Sequence, residues 1–428
     1  SVSVTAITSQ PFEYPADDPS LSGTNGMEKR ITVFSWLNDY DDQTTENAFR
    51  ASMDLKWKIW KGLTYNLRAG GNLRDEYRAR WFGTETFRGN NDKGSLGITD
   101  LSQNNITVEN MLNYHHTFDR ILDLDVTGAV TYDDYNYLNK RTQGRQFSNM
   151  SFGIDGLHMA ERISYLEPVQ RDYQLLSYLG RVNMSFLEGR YLATASFRAD
   201  GSSRFARGHR WAYFPSFSLA WRMEQEAFMK DISWLNQLKL RASYGSLGNN
   251  AVGNYDYQLY YQASNYVLND ALQIGMAQRA LSNAALTWET SYVTNFGVDF
   301  ALFSKLSGTI DAFVKNTKGI LIELPAPLVH GNATVPKSNA AEVRNRGVEL
   351  SLNWNDKVGS VNYFVGGNFS FVKNKVTKFK GDEMSLNGTN MILEGEPINV
   401  QYVLSVDRII QTEEDMAIVE AMEANNPD

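Results

Sequence analysis

Apolar and polar residues alternate one by one along much of this chain. Phe49, Ala51, Met53, Leu55, Trp57 and Ile59 fall on one side of an extended segment, with Arg50, Ser52, Asp54, Lys56 and Lys58 on the other. Successive side chains of a strand point to opposite faces, so this pattern predicts a strand with one apolar face. The same alternation sets Leu122, Leu124, Val126, Gly128, Val130 and Tyr132 against Asp123, Asp125, Thr127 and Thr131. Val348, Leu350, Leu352 and Trp354 likewise oppose Glu349, Ser351 and Asn353. The best-defined runs approach the ~9–11 residues that a tilted strand needs to cross a bilayer.

The links between strands come in two kinds. Lys61-Gly62, Asp119-Arg120, Glu188-Gly189, Ser304-Lys305 and Asp356 to Ser360 read as short turns. A longer link, Met223 to Gln237, places Glu224, Ala227, Phe228 and Ile232 at helical spacing. Between them lie long polar stretches: Thr84 to Asn104, Leu138 to Arg171 and Asn249 to Ala285. Two strands per link predict about twelve strands, with a further candidate at Val400 to Val406. Short turns at one end and long loops at the other are the habit of an outer-membrane barrel. Trp57, Trp60, Phe118, Phe186, Tyr191, Phe303 and Trp354 gather beside the short links, as in an interfacial aromatic girdle. Hairpins of soluble all-β proteins also carry aromatics near their turns, so alternation alone leaves a soluble sandwich or propeller open.

Composition narrows the choice of elements. No stretch approaches the ~18 apolar residues of a membrane helix; the run from Ile320 to Val329 is broken by Glu323, Pro325 and Pro327. With 9 Trp, 22 Tyr, 22 Phe and only 10 Pro, extended strands are favoured over helices. A net charge of −8, dispersed along the chain, argues against a nucleic-acid surface. The absence of cysteine excludes disulfides and thiolate metal sites. Walker, GxSxG, HExxH and EF-hand patterns are missing, so no enzyme or cofactor is expected.

In the middle of the chain the residues become recognisable. RADGSSRF (198–205), YFPSFSLAWR (213–222), LKLRASYGSLGN (238–249), LTWET (286–290), NFGVDF (295–300), EVRNRGVEL (342–350) and GGNFS (366–370) follow one another in order. Together they resemble SusC/RagA-type, TonB-dependent outer-membrane transporters. Read from the residues alone, Asp200-Gly201 is a turn capping a strand, Pro215 opens a strand, and Gly347 relieves crowding at a bend in the wall. The resemblance implies an all-β fold, a partial antiparallel transmembrane barrel of about twelve strands. Residues 1–46 are then an extracellular loop segment, 47–410 the partial barrel, and 411–428 a loop or truncated end. Ser1 follows no signal peptide, which reads as truncation; plug domain and closing strands are expected to lie outside this chain. The resemblance further implies import of an oligomeric nutrient, a glycan or else a peptide. Its partners would be a SusD-like surface lipoprotein, the TonB complex and outer-membrane lipid. A surface or soluble all-β carbohydrate-binding module is the alternative function.

Candidate contacts are the loop aromatics, whose flat rings stack on sugar faces and pack against peptide side chains. They are Trp36, Trp81, Phe82, Tyr255, Tyr257, Tyr260 and Tyr261, although large loops also pack on their own aromatics. His115-His116 is a tempting metal pair, but neighbours on a strand face opposite sides and do not share one ion. Asp39, Asp41 and Asp42 supply enough oxygen for calcium in a loop, against the plainer reading of a solvated acidic loop.

Overall fold

The computed structural model describes residues 37–324, 335–380, 385–387, 390–403 and 416–417. Twelve strands form one antiparallel sheet. They are β1 (Tyr40–Trp60), β2 (Leu63–Phe82), β3 (Ser95–Phe118), β4 (Leu122–Phe147), β5 (Ala160–Phe186), β6 (Tyr191–Ser202), β7 (Trp211–Arg222) and β8 (Leu235–Asn249), then four more after a long loop. That loop carries two small hairpins, pairing β9 (Tyr260–Ala263) with β12 (Met276–Ala280) and β10 (Tyr266–Leu268) with β11 (Ala271–Gln273). The wall resumes with β13 (Glu289–Leu302), β14 (Leu306–Glu323), β15 (Lys337–Val358) and β16 (Val361–Phe379). Each wall strand pairs with its predecessor, β13 docking on β8, so that β1 and β16 are the two edges. A small separate sheet joins β17 (Ser385–Asn387), β18 (Asn390–Ile392) and β19 (Val400–Gln401).

Register turns the alternation into continuous rows. Leu240 pairs with Val298, which pairs with Ile310, then Leu350, then Phe369. One residue away on the opposite face runs Lys239, Asp299, Thr309, Ser351 and Asn368. Met53, Ala69, Val108, Tyr132 and Leu176 form another apolar row. This apolar face stays uncovered, with Trp57, Phe296 and Phe369 all near 60% exposed. A contiguous apolar band of that extent marks a surface built to meet another apolar phase. The polar face is laced by cross-strand ion pairs instead. Arg68 reaches Asp54 at 3.2 Å and Glu109 at 3.3 Å, and Arg241 reaches Asp299 at 2.7 Å and Asp311 at 3.1 Å. Exposed pairs such as Arg68–Asp54 contribute only ~0.2–1 kcal/mol each, so they fix register more than they stabilise.

At the turn end, neighbouring hairpins are stitched together by backbone bonds. His115 N–H donates to the Gly62 carbonyl at 2.8 Å, Leu187 N–H to Ile121 at 2.7 Å, and Phe303 N–H to Trp234 at 2.7 Å. Beside the short links, Trp234 stacks on Phe303 and Tyr191 on Trp221. Met223 to Gln237 holds two 3-10 turns, Met223–Gln225 and Ala227–Met229, rather than an α-helix. Glu226 between them accepts from the Tyr191 hydroxyl at 2.6 Å and the Trp221 indole at 3.1 Å, which holds its carboxyl below the usual range.

The loop end departs most from the sequence reading. β1 starts at Tyr40, inside the segment expected to be loop up to 46, and β4 and β5 run deep into the supposed loop Leu138 to Arg171. Ladder pairing continues there through polar and apolar positions in no regular alternation, so the sequence pattern gives no signal. Val400–Gln401 belongs to the small sheet and not to the wall, and the rest of that candidate, 404–406, lies outside the described residues. Asp200-Gly201 is not a turn; both residues are inside β6, where Asp200 pairs with Ala212. Pro215 does not open β7 but sits in its middle, at the point where β7–β8 pairing stops at Ser216 and Gly245. Gly347 fits the crowding expected of it: a Cβ there would meet the Phe371 carbonyl oxygen at 2.6 Å and the Phe313 ring at 3.0 Å.

Two compact cores anchor the loop end. Phe205, Phe214, Val252, Leu286 and Trp288 form one, and the Trp288 indole donates to the Arg210 carbonyl at 2.9 Å. Trp81, Leu96 and Phe147 form the other, capped by Leu157 and Met159. The first is built almost wholly from the recognisable motifs: RADGSSRF supplies Phe205, YFPSFSLAWR Phe214, and LTWET Leu286 and Trp288.

Candidate functional site

On the polar face, toward the loop end, four strand residues and one link residue form an aromatic shelf. Tyr135 and Tyr137 come from β4, Arg171 and Tyr173 from β5, and Arg204 from the β6–β7 link. Register places Tyr135 directly opposite Tyr173 and Tyr137 opposite Arg171, all with the parity of Asp125 and Thr127. The Tyr135 and Tyr173 rings stack at 5.0 Å and 25°. Arg204 lies 4.0 Å over Tyr173 and Arg171 lies 5.6 Å over Tyr137, both within cation–π range. The result is a flat, partly exposed surface edged by two fixed cations.

Arg204 also ties this shelf to the long loop. Its Nε donates to Asn254 Oδ1 at 3.1 Å and its Nη1 to the Asn250 carbonyl at 3.1 Å. Asn254 in turn helps line a cavity of about 460 Å³ with Tyr255, Asp256, Leu259, Glu323 and Lys337. Tyr255 holds a left-handed φ of 68°, and Asp256 Oδ2 accepts from the Gly253 N–H at 2.9 Å. Burial pushes the Asp256 carboxyl up from its ordinary value of 3.8. Shelf and cavity are therefore one contiguous tract, with stacking rings, hydrogen-bonding groups and charges of both signs. Such a surface suits a polyhydroxylated or peptide-like oligomer better than an apolar small molecule.

The sequence candidates divide. Tyr255 lines the cavity and is 45% exposed, Tyr257 is half-buried nearby in sequence, and Tyr261 is exposed on β9. Tyr260 also lies on β9, with its side chain outside the described residues, as is the whole of Trp36. Trp81 and Phe82 are buried at 5% and 7% exposure. Trp81 packs edge-on against Phe147 at 4.8 Å, and Phe82 lies beneath the Arg88 guanidinium. Both support the loop end rather than present a face to a ligand. The shelf tyrosines escaped notice because they lie on strands, yet a signal was present. Tyr135 and Tyr137 continue the odd-numbered series of Asp123, Asp125 and Thr127, placing aromatics on the polar side.

The histidine pair is split as strand geometry requires, and the acidic trio does not converge on one point. His115 and His116 face opposite sides of the wall, His116 between Tyr114 and Phe118. His115 contacts Asp125 through Nδ1 at 3.0 Å and Asp123 through Nε2 at 3.6 Å, the one His/Asp/Glu trio found among the described residues. Its two ring nitrogens are thus turned to two different carboxylates. Asp41 and Asp42 are on β1 and not in a loop: Asp41 accepts from Gln43, while Asp42 accepts from Arg78 at 2.7 Å. Asp39 braces Glu85 N–H at 2.8 Å. The three carboxylates each have separate work and do not converge.

Comparison with known proteins places this wall in a recognised group. The family described as TonB dependent receptor-like, beta-barrel, matches residues 5–401. TonB-dependent receptor P39 of Formosa agariphila is 28% identical over 81% of the chain and 33% of its own length. TonB-dependent receptor SusC of Bacteroides thetaiotaomicron is 27% identical over 86% of the chain and 37% of its own length. The chain therefore spans about a third of the length of these curated relatives. Among solved structures, a chain of the RagAB peptide transporter superposes with a TM-score of 0.76, covering 86% of this chain and 41% of that one at 24% identity. That likeness establishes the fold.

Proposed function

The chain belongs to the TonB-dependent receptor-like β-barrel family, and from that premise we propose that its twelve strands are part of the wall of an outer-membrane importer for oligomeric nutrients. The apolar rows face lipid and the ion-paired rows face the lumen. The short-turn end lies in the periplasm and the long-loop end outside the cell. A SusD-like lipoprotein covers the outer mouth, and TonB, acting through a plug domain, supplies the energy for passage. The observation that carries this reading is the two-faced wall, in which register joins apolar residues of successive strands into uncovered rows. A soluble binding module would cover that face with a second layer.

The substrate is an oligosaccharide in preference to a peptide. Support comes from the shelf: Tyr135 stacks on Tyr173, and Arg171 and Arg204, held over Tyr137 and Tyr173, add guanidinium donors suited to sugar hydroxyls. The test is uptake by cells that carry the complete transporter, by cells deleted for it, and by cells with Tyr173→Ala. Deletion should abolish entry of a labelled oligosaccharide but not of its monosaccharide, and Tyr173→Ala should slow entry while leaving transporter abundance unchanged. Entry of labelled oligopeptides alone would reverse the substrate assignment. Unimpaired growth of the deletion strain on every oligomer would remove the import reading.

A further inference from the structure

The lipid-facing side carries one feature that a uniform wall would not need. Where the apolar run of β15 ends above Val348, the next two positions on that face are Arg346 and Arg344. On β16 the run ends at Phe371, followed on that face by Lys373 and Lys375. Register sets them directly opposite one another, Arg346 against Lys373 and Arg344 against Lys375. Two like-charged cross-strand pairs in succession are destabilising unless an anion answers them. Among the described residues no carboxylate lies within ion-pair distance of any of the four. Arg344 Nε donates to the neutral Asn316 at 2.7 Å, and Glu396 shares a cavity with the four without forming an ion pair. All four are exposed.

Directly below lies an apolar groove of about 520 Å³, lined by Phe296, Val314, Val348 and Phe371 with Arg346 and Lys373 at its rim. Beside it Lys318 on β14 reaches over the Tyr292 ring at 5.7 Å. Elsewhere on this face the charge is mixed, with Lys140 of β4 directly opposite Asp100 of β3. On the same face of β2 to β5, at the corresponding loop-ward end of the apolar run, stand Asp75, Asp100, Asp134 and Asp172. A general interfacial belt of cations is thereby excluded. Cations capping an apolar groove at the membrane boundary are complementary to one kind of ligand, an amphiphile with an anionic head.

We propose that the outward face of β14–β16 binds a phosphate-bearing lipid of the outer leaflet, its phosphates between the Arg346/Lys373 and Arg344/Lys375 pairs and an acyl chain in the groove. The proposal rests on the membrane reading given above. A bound lipid of this kind relieves the like-charge pairs and fixes the position of β16 relative to its neighbours. Free phosphate lacks the acyl chain and would not fill the groove.

The test uses the complete transporter purified in detergent and delipidated. Binding of bisphosphorylated lipid A is compared with that of the same lipid stripped of its phosphates, by native mass spectrometry and by quenching of intrinsic fluorescence. Wild type should hold the phosphorylated lipid tighter by roughly tenfold or more. The preference should disappear in Arg344→Gln/Arg346→Gln/Lys373→Gln/Lys375→Gln, persist in the control Lys140→Gln, and resist millimolar inorganic phosphate. A double variant, Arg346→Gln/Lys373→Gln, should lose part of it if the quadruple variant assembles poorly. Equal binding of the two lipids, an unchanged preference in both variants, or displacement by inorganic phosphate would each overturn the proposal. Heat-modifiable migration is recorded on every sample: its loss in wild type would strike at the membrane reading, and its retention isolates the lipid site.

Discussion

At Gly62, φ is +82°, and an added Cβ would collide with the backbone carbonyl oxygen of His115, whose own N–H already donates to the Gly62 carbonyl. Backbone is less able to yield than a side-chain tip, so Gly62→Ala should destabilise the folded protein by more than ~1 kcal/mol, read from urea unfolding in lipid vesicles. Gly297 makes an instructive contrast: a Cβ there would meet the Arg241 and Asp311 side chains, at 2.7 and 2.6 Å, and these flexible tips can move. At Asp256 the physics is electrostatic. Its carboxyl is raised above the unfolded value of 3.8, so the ionised form is the one that burial disfavours. The penalty is absent below the unfolded value and complete above the raised one, and loop stability should fall as pH rises through that window. Proteolytic nicking of the loop around Asp256 should therefore accelerate with pH in wild type, while Asp256→Asn flattens the dependence; an identical profile in both would contradict this. At this scale the sequence was only half legible. The opposed faces of His115 and His116 follow from strand geometry alone. Burial of Trp81 depends on Phe147 and Leu157, and Phe82 packs against Tyr40, all distant in sequence, and no local pattern announces that.

Strands and turns were the most readable level, because a strand with lipid on one side and polar groups on the other writes its period directly into the sequence. All five short turns lie close to where their residues predicted, and the wall has the twelve strands expected. Strand length was not readable. Above the apolar band β4 and β5 continue through Asn139 and Val169 and past a register shift, in segments with no regular alternation to read. The Met223 to Gln237 link had helical spacing, but its Glu226 is committed to Tyr191 and Trp221 and the link winds only into two single 3-10 turns. The two faces should differ sharply in tolerance. Phe296 is outward and 63% exposed, and Asn295 beside it is on the polar side. Phe296→Arg should cost ~2–4 kcal/mol if near the bilayer midplane, and Asn295→Arg far less. Refolding into vesicles, followed by gel mobility with and without heating, compares them; equal yields would argue against a lipid face.

Among the described residues the wall is a set of twelve strands whose edges, β1 and β16, do not pair with each other. Lipid offers no partner to the free N–H and C=O groups of an edge, so such a wall completes itself by pairing with further strands. That requirement accords with the third of their length that the chain spans in its curated relatives. Fold class was legible because the ordered motifs build one loop-end core, around Phe205, Leu286 and Trp288, whose parts lie far apart in the sequence. The identity of the proposed cargo was not, since shelf and cavity are assembled from β4, β5, a link and a loop that lie far apart in the sequence and are tied together by Arg204. The chain contains no cysteine, so single cysteines can be introduced without background from it. Spin labels placed one at a time from Leu122 to Tyr132, in the complete transporter in outer-membrane vesicles, test the central claim most directly. The even positions should be open to dissolved oxygen and shielded from a water-soluble nickel chelate, and the odd positions the reverse, with a period of two throughout. Uniform accessibility to the chelate on both faces, or oxygen contact confined to the odd positions, would contradict a wall with lipid on its apolar side.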